Sequence, residues 1–122
     1  LGMVKNRDLP PIFRAADLFV APSVTTRKWE EQVGMTNLQA MASGVPVVST
    51  RSGAIPEYMP DGVAGILVPE RNPAALAEAI TRLLADANLR RRLGEGGRAY
   101  ACTHYDAAAN VAIAERVLLE LL

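Results

Sequence analysis

The sequence predicts an α/β fold built on a parallel sheet with helices on both faces. Short, continuously apolar runs at residues 18–21 and 45–49 have the length and composition of buried strands. Segments with helical periodicity follow these runs, and an alternation of strand and helix favours parallel pairing. Only three strands are recognisable in the 122 residues, which is few for such a sheet. We therefore expect one domain over 1–122 that is a piece of something larger.

The first half of the chain alternates between helix and strand around polar turns. Pro10 opens the first helical segment, since proline is tolerated in a first helical turn. Pro22 stops the first strand, and Ser43-Gly44 is a typical helix C-terminus. In order, the predicted elements are a helix over 10–16, a strand over 18–21, a loop over 24–34, a helix over 35–42 and a strand over 45–49.

The second half contains one more strand and several helices. Asn72 followed by Pro73 is a typical helix start, and Asp106 is the candidate N-cap of the last helix. Gly94 predicts a helix end. The predicted elements are a turn over 52–57 leading into a short helix, a tight turn at 61–62, a strand over 64–69, and helices over 73–85, 87–93, 97–103 and beyond 106.

Composition excludes several classes of function. Lysine and arginine total 13, as do aspartate and glutamate, so net charge gives no support for a nucleic-acid partner. Cys102 is the single cysteine, which excludes an internal disulfide and a cysteine-rich metal site. No metal-ligand cluster, signal-peptide pattern or membrane-spanning apolar run is visible. We expect no integral membrane segment and a cytoplasmic location.

The loop and helix that follow the first strand carry the chemistry. A helix N-terminus presents unpaired N–H groups and partial positive charge, which suits a phosphate or a sugar oxygen. The backbone N–H groups of Gly34, Met35, Thr36 and Asn37 are candidates for that contact. Glu31, just before them, is a candidate acceptor for sugar hydroxyls, and the alternative for it is an ordinary solvated loop carboxylate. The turn after the second strand lies at the same sheet edge, where open α/β sheets bind ligands.

This region resembles the signature of retaining GT-B glycosyltransferases, particularly family 4. Members carry two glutamates separated by seven residues, followed by a run that here reads Ala40-Met41-Ala42-Ser43-Gly44-Val45-Pro46-Val47-Val48. Glu31 matches the first glutamate and Gln39 stands at the second. The turn Ser52-Gly53-Ala54-Ile55-Pro56-Glu57 is similar to a Gly-Gly-x-Pro-Glu turn of the family, with Gly53 retained.

The resemblance implies the Rossmann-like C-terminal, donor-binding domain of such an enzyme, beginning after that domain's first strands. It assigns a catalytic role to Glu31. It assigns donor binding to Gly34, Met35, Thr36, Asn37, Gln39 and Gly53. The second family glutamate accepts hydrogen bonds from ribose hydroxyls, and Gln39 keeps the acceptor but loses the charge, which weakens that bond.

The implied activity is transfer of a glycosyl group from a nucleotide-diphospho-sugar to an acceptor sugar or lipid, with retention and without an essential metal or cofactor. The basic residues that grip the diphosphate and the acceptor domain would lie outside the chain, so we expect these 122 residues alone to be inactive. Two alternatives are a noncatalytic nucleotide-sugar-binding module of the same fold and a nucleotide-sugar epimerase. An unpaired strand at the edge of a partial sheet also allows self-association.

Overall fold

The computed structural model describes residues 2–122 and contains a three-stranded parallel sheet. The strands are β1 (Phe19–Ala21), β2 (Val47–Thr50) and β3 (Gly65–Val68), and β2 lies in the centre. Val47 pairs with Phe19 on one side and with Gly65 on the other, so the strands end at a common edge. The α/β class and the parallel sheet predicted from the sequence are confirmed.

A 3₁₀ turn at Asn6–Asp8 precedes the helices, which alternate with the strands in the first half of the chain and follow β3 in the second. Asn72 and Asp106 are N-caps as predicted, since their side chains accept hydrogen bonds from the third residue beyond each, at 3.0 and 2.8 Å. The helices are α1 (Leu9–Arg14), α2 (Met35–Ala42), α3 (Ile55–Tyr58), α4 (Pro73–Ala85), α5 (Ala87–His104) and α6 (Ala107–Glu120).

Each face of the sheet is buried under its own hydrophobic cluster, which confirms the prediction of helices on both sides. Alternate residues of a strand point to opposite faces, so Val47 and Val48 belong to different clusters. The first cluster packs α1, α2 and α3 against one face and includes the fully buried Met41 and Ile55. The second packs α4 against the other face through Leu83 and its neighbours.

A single helix, α5, replaces the two helices predicted over 87–93 and 97–103, so that prediction is wrong. Gly94 lies inside α5, where a Cβ atom would overlap the carbonyl oxygen of Gly44. At Gly97 a Cβ would lie 3.1 Å from the carbonyl oxygen of Ala64. These glycines therefore permit close backbone packing and do not end the helix.

The last helix, α6, extends from the body of the domain with none of its residues buried. Three of its large apolar residues, Val111, Ile113 and Leu118, are more than half exposed. None of the helices in residues 2–122 combines the length and the apolar character needed to cross a bilayer. The same residues contain no group of three or more histidine, cysteine, aspartate or glutamate side chains placed to hold a metal ion.

Candidate donor site at the sheet edge

Three segments meet at the carboxyl edge of the sheet. They are the long loop between β1 and α2, the turn that follows β2, and the residues just after β3. Thr50, at the end of β2, donates a hydrogen bond from Oγ1 to the carbonyl oxygen of Ser23 in the loop. The parallel topology thus brings together segments that are far apart in sequence, as open α/β sheets do at their ligand-binding edge.

Glu31 is held at this edge through both its side chain and its backbone. Ser23 Oγ donates to Glu31 Oε2 at 3.3 Å, and the Ala54 N–H donates to the Glu31 carbonyl oxygen at 2.9 Å. The side chain is partly buried, whereas the adjacent Glu30 is exposed. Of the two neighbouring carboxylates, Glu31 is therefore the one that the fold fixes in position.

Gly53 allows the Glu31 backbone to come this close to the turn after β2. Its φ of +51° lies in the left-handed region that disfavours residues with a Cβ atom. A Cβ there would also overlap the Glu31 carbonyl oxygen and lie 2.9 Å from the Glu31 nitrogen. In this structure Gly53 shapes the loop that carries Glu31, and a direct donor contact at Gly53 stays a prediction.

The N-terminus of α2 presents fewer free N–H groups than the sequence predicts. The Gly34 N–H donates to Tyr58 Oη at 3.1 Å, and the Met35 N–H donates to the Val33 carbonyl oxygen at 2.9 Å. Within residues 2–122, the N–H groups of Thr36 and Asn37 have no protein partner. Only these last two remain available for an anion or a sugar oxygen.

The Asn37 side chain is buried beneath the helix start, with 2% of its surface exposed. Its Nδ2 donates to Tyr58 Oη at 3.1 Å and to Ser49 Oγ at 3.4 Å, while Ser49 Oγ donates to the Ala21 carbonyl oxygen at 2.7 Å. This network joins β1, β2, α2 and α3 directly under the candidate site. Asn37 thus braces the site through its side-chain Nδ2, and its backbone N–H is free of protein partners in the described part of the chain.

Tyr58 is the central member of that network, and sequence reasoning did not identify it. Burial raises the pKa of its phenol, against the opposing effect of the hydrogen bonds from Asn37 and Gly34. The phenol therefore stays neutral and accepts both hydrogen bonds. Tyr58 lies 24 residues beyond Gly34, so no local sequence pattern indicates the hydrogen bond between them.

Gln39 lies further along α2, in a groove of about 400 Å³ between α2 and the junction of α5 and α6. Met35 and Val33 line the groove on one side, and Tyr105 and Asp106 line it on the other. Glu31 is not among its lining residues. The structure thus places Gln39 beside Met35 in a groove that Glu31 does not line.

A second feature missed by sequence reasoning is the contact between Glu70 and Thr25. Glu70, two residues after β3, accepts hydrogen bonds from the Thr25 N–H at 2.9 Å and from Thr25 Oγ1 at 2.7 Å. These bonds, led by the one from Oγ1, lower the pKa of the Glu70 carboxyl below its usual value. The carboxylate is therefore ionised at neutral pH and ties the loop before α2 to the end of β3.

Comparison with known proteins identifies the family to which this α/β chain belongs. The family model for glycosyl transferases group 1 matches residues 1–86, which is more than half of the chain. This chain belongs to that family, and the resemblance noted from its motifs is confirmed.

Individual relatives include glycosyltransferases and a spore coat protein, and those compared below are much longer than this chain. The chain is 41% identical over 95 residues to a D-inositol 3-phosphate glycosyltransferase of Salinispora arenicola, covering 78% of this chain and 20% of that protein. It is 32% identical over 99 residues to spore coat protein SA of Bacillus subtilis, covering 80% and 25%. The chain thus spans about a fifth of the length of the first of these relatives.

Solved structures of GT-B glycosyltransferases share the fold. Sucrose-phosphate synthase from Thermosynechococcus elongatus matches with a TM-score of 0.89 and 30% identity, covering 99% of this chain and 29% of that one. HepE from Anabaena, solved with UDP and glucose, matches with a TM-score of 0.79 and 28% identity, covering 90% and 29%. HepE has also been solved with UDP-glucose.

Proposed function

We propose that this chain forms part of the site that binds a nucleotide-diphospho-sugar, and that the protein containing it transfers the glycosyl group with retention of configuration. Membership of the family and the UDP and UDP-glucose complexes of HepE support a nucleotide-sugar donor. An acceptor sugar or lipid would bind to parts of the protein outside these residues. The observation that carries the proposal is Glu31, held by Ser23 and Ala54 at the same edge as the start of α2.

Each site residue has a distinct task in this proposal. The Glu31 carboxylate accepts hydrogen bonds from donor-sugar hydroxyls, or stabilises the positive charge that develops as the bond to the nucleotide breaks. The N–H groups of Thr36 and Asn37 bind a phosphate or sugar oxygen. Gln39 accepts from the ribose. No metal or cofactor takes part.

The first experiment identifies the nucleotide and needs no knowledge of the acceptor. Thermal melts of the protein with millimolar UDP, GDP or ADP should show a higher midpoint with one of them, because a ligand that binds only the folded state stabilises it. No shift with any nucleotide would contradict the proposed donor site. A chelator should leave this shift unchanged, and in the transfer assay of the second experiment a loss of activity in chelator would contradict the metal-free mechanism.

The second experiment tests the role of Glu31 against a matched neighbour. Replacing a group that stabilises charge in a transition state lowers kcat by about a hundredfold. Glu31→Gln should therefore reduce transfer by about that factor, whereas Glu30→Gln, at the adjacent exposed carboxylate, should not. Equal activity of the two variants would refute the catalytic assignment. Nucleotide binding without transfer to any acceptor would instead identify a noncatalytic binding module.

A further inference from the structure

Thr25 is held on three of its atoms by two consecutive residues that follow β3. Its N–H and its Oγ1 donate to the two carboxylate oxygens of Glu70, at 2.9 and 2.7 Å. Its carbonyl oxygen accepts from the Arg71 guanidinium at 3.0 Å. We call this arrangement the Thr25 clasp. All of its bonds involve a charged group, and such hydrogen bonds are about twice as strong as neutral ones.

The clasp acts on a segment that has no regular structure of its own. The loop between β1 and α2 covers residues 22–34, and Thr25 lies near its start. Loops of this length without helix or strand are uncommon in compact domains and are usually functional. Glu70 and Arg71 are 45 and 46 residues away in sequence, two and three residues after the strand β3 in sequence, and Val68 of that strand packs into the core. The clasp therefore fastens the loop to the rigid part of the fold.

Arg71 adopts a backbone conformation that favours glycine. Its φ is +56°, and it is the only non-glycine residue with a positive φ in the part of the chain that the structure describes. Residues in this conformation persist where the surrounding structure fixes them, and they concentrate at functional sites. Here the left-handed residue follows Glu70 directly and itself donates to Thr25.

The clasp is connected to Glu31 on both sides. Thr25 Oγ1 is 2.9 Å from Ser52 Oγ, and the fully buried Ser52 precedes Gly53, which faces the Glu31 backbone. Two residues before Thr25, Ser23 Oγ donates to the Glu31 carboxylate. One support of Glu31, Ser23, thus lies two residues before Thr25, and the other, Ala54, lies two residues after Ser52, which Thr25 contacts.

We propose that Glu70 is a positioning residue that, through Thr25, holds the loop over 22–34 in the conformation that places Glu31 at the start of α2. This inference rests on the proposed function for its effect on donor binding. The position of the loop itself does not depend on that function. Glu70 touches no reacting group in this proposal and acts only through Thr25.

Trp29 provides a reporter of the loop that is independent of any ligand. It is the only tryptophan of the chain, it is 51% exposed, and its backbone is bonded to Thr26 in the turn that follows Thr25. Quenching of its fluorescence by acrylamide measures how accessible the ring is to solvent. In this chain, Glu70→Ala should increase the quenching constant, and Glu70→Gln, which keeps one acceptor oxygen, should fall between that variant and the wild type.

Matched variants separate the clasp from a general loss of stability. Glu78→Ala removes an exposed carboxylate on α4 and should leave quenching unchanged. Thr25→Val removes the hydroxyl but keeps the backbone N–H bond to Glu70, so it should produce part of the effect of Glu70→Ala, whereas Thr25→Ser keeps the hydroxyl and should behave as the wild type. The double variant Glu70→Ala/Thr25→Val should show little effect beyond that of Glu70→Ala, because the bond between the hydroxyl and the carboxylate is already lost in the single variant. Urea unfolding confirms that each variant compared is folded at the start.

Donor affinity provides the second readout. Loss of a hydrogen bond to a charged group weakens an equilibrium by about tenfold or more. In the protein that contains this chain, Glu70→Ala and Thr25→Val should weaken binding of the effective nucleotide by about that factor, and Thr25→Ser should restore it. Unchanged quenching in folded Glu70→Ala and Thr25→Val, or increased quenching with unchanged nucleotide affinity, would overturn the inference. A wild-type protein that binds no nucleotide would contradict the proposed function, and the quenching series would still decide whether the clasp holds the loop.

Discussion

Replacing Gly53 by alanine tests whether close backbone packing positions Glu31. Gly53 has a φ of +51°, and a Cβ there would overlap the Glu31 carbonyl oxygen. Gly62 provides a matched control, because its φ is +76° and a Cβ there would have no neighbour within 4 Å. Both substitutions impose the left-handed conformation on alanine, and only the first also displaces the Glu31 backbone.

The expected magnitudes follow from this difference. The left-handed conformation costs a residue with a Cβ atom roughly 1 to 2 kcal/mol. Overpacking against atoms that cannot easily move adds about 1 to 3 kcal/mol. Gly62→Ala should therefore lower the free energy of unfolding by about 1 to 2 kcal/mol, and Gly53→Ala should lower it by about 2 to 5 kcal/mol. Replacing glycine by alanine also lowers the conformational entropy of the unfolded chain. This contribution is the same for both variants and cancels when their free energies of unfolding are compared.

Urea unfolding of the two variants and the wild type measures these free energies, provided that the slope of the free energy of unfolding against urea concentration is the same for all three proteins. Gly53→Ala should also weaken nucleotide binding, whereas Gly62→Ala should not. Equal destabilisation by the two substitutions would refute the reasoning, because the contact with Glu31 would then contribute nothing. A large difference in stability with equal nucleotide affinity would separate the packing of Gly53 from the donor site.

Three further predictions concern other parts of the edge. Tyr58→Phe removes the acceptor for the Gly34 N–H and the Asn37 amide. It should therefore lower the free energy of unfolding, measured by urea titration, by about 1 to 3 kcal/mol. An unchanged free energy of unfolding would show that the phenol is dispensable. The pKa of the Glu70 carboxyl is lower in the folded state than in the unfolded state. The ionised carboxylate therefore stabilises the fold at pH values above the unfolded pKa. This contribution is lost as the pH falls through the folded pKa. The stability difference between wild type and Glu70→Gln should therefore shrink on acidification below about pH 4 in urea titrations, and a difference that grows would contradict the sign. Gln39→Glu should tighten nucleotide binding measured by calorimetry, because a charged acceptor makes the stronger hydrogen bond, and an unchanged affinity would show that this position does not limit recognition.

The sequence was sufficient for the parts of the fold that depend on local patterns. The apolar runs predicted β1 and β2 within a residue or two, and the caps at Asn72 and Asp106 were read correctly from residue type alone. The motif around Glu31 and Gly44 identified the family, and Gly44 does end α2 with a φ of +78°. In each case the signal and its structural effect lie within a few residues of one another.

The parts that were wrong or missed depend on contacts between distant residues. A glycine such as Gly94 often marks a helix end, but Gly94 lies inside α5. The carbonyl oxygen of Gly44 packs so closely against it that a Cβ atom would not fit. The Gly34 N–H is occupied by a tyrosine from another helix, and no pattern near Gly34 indicates that. Glu70 and Thr25 are 45 residues apart, so their contact emerges only when β3 and the loop reach the same edge.

The length of α5 links the two faces of the sheet. Leu89 and Leu93 near its start pack into the cluster under α4, while Ala101 near its end packs into the cluster under α2. Its glycine-rich middle lies against the segment that enters β3. One helix thus contributes side chains to both cores and couples the packing of the two layers. Amide protons on the two faces should consequently exchange with solvent through a common opening, and the domain should behave as one cooperative unit.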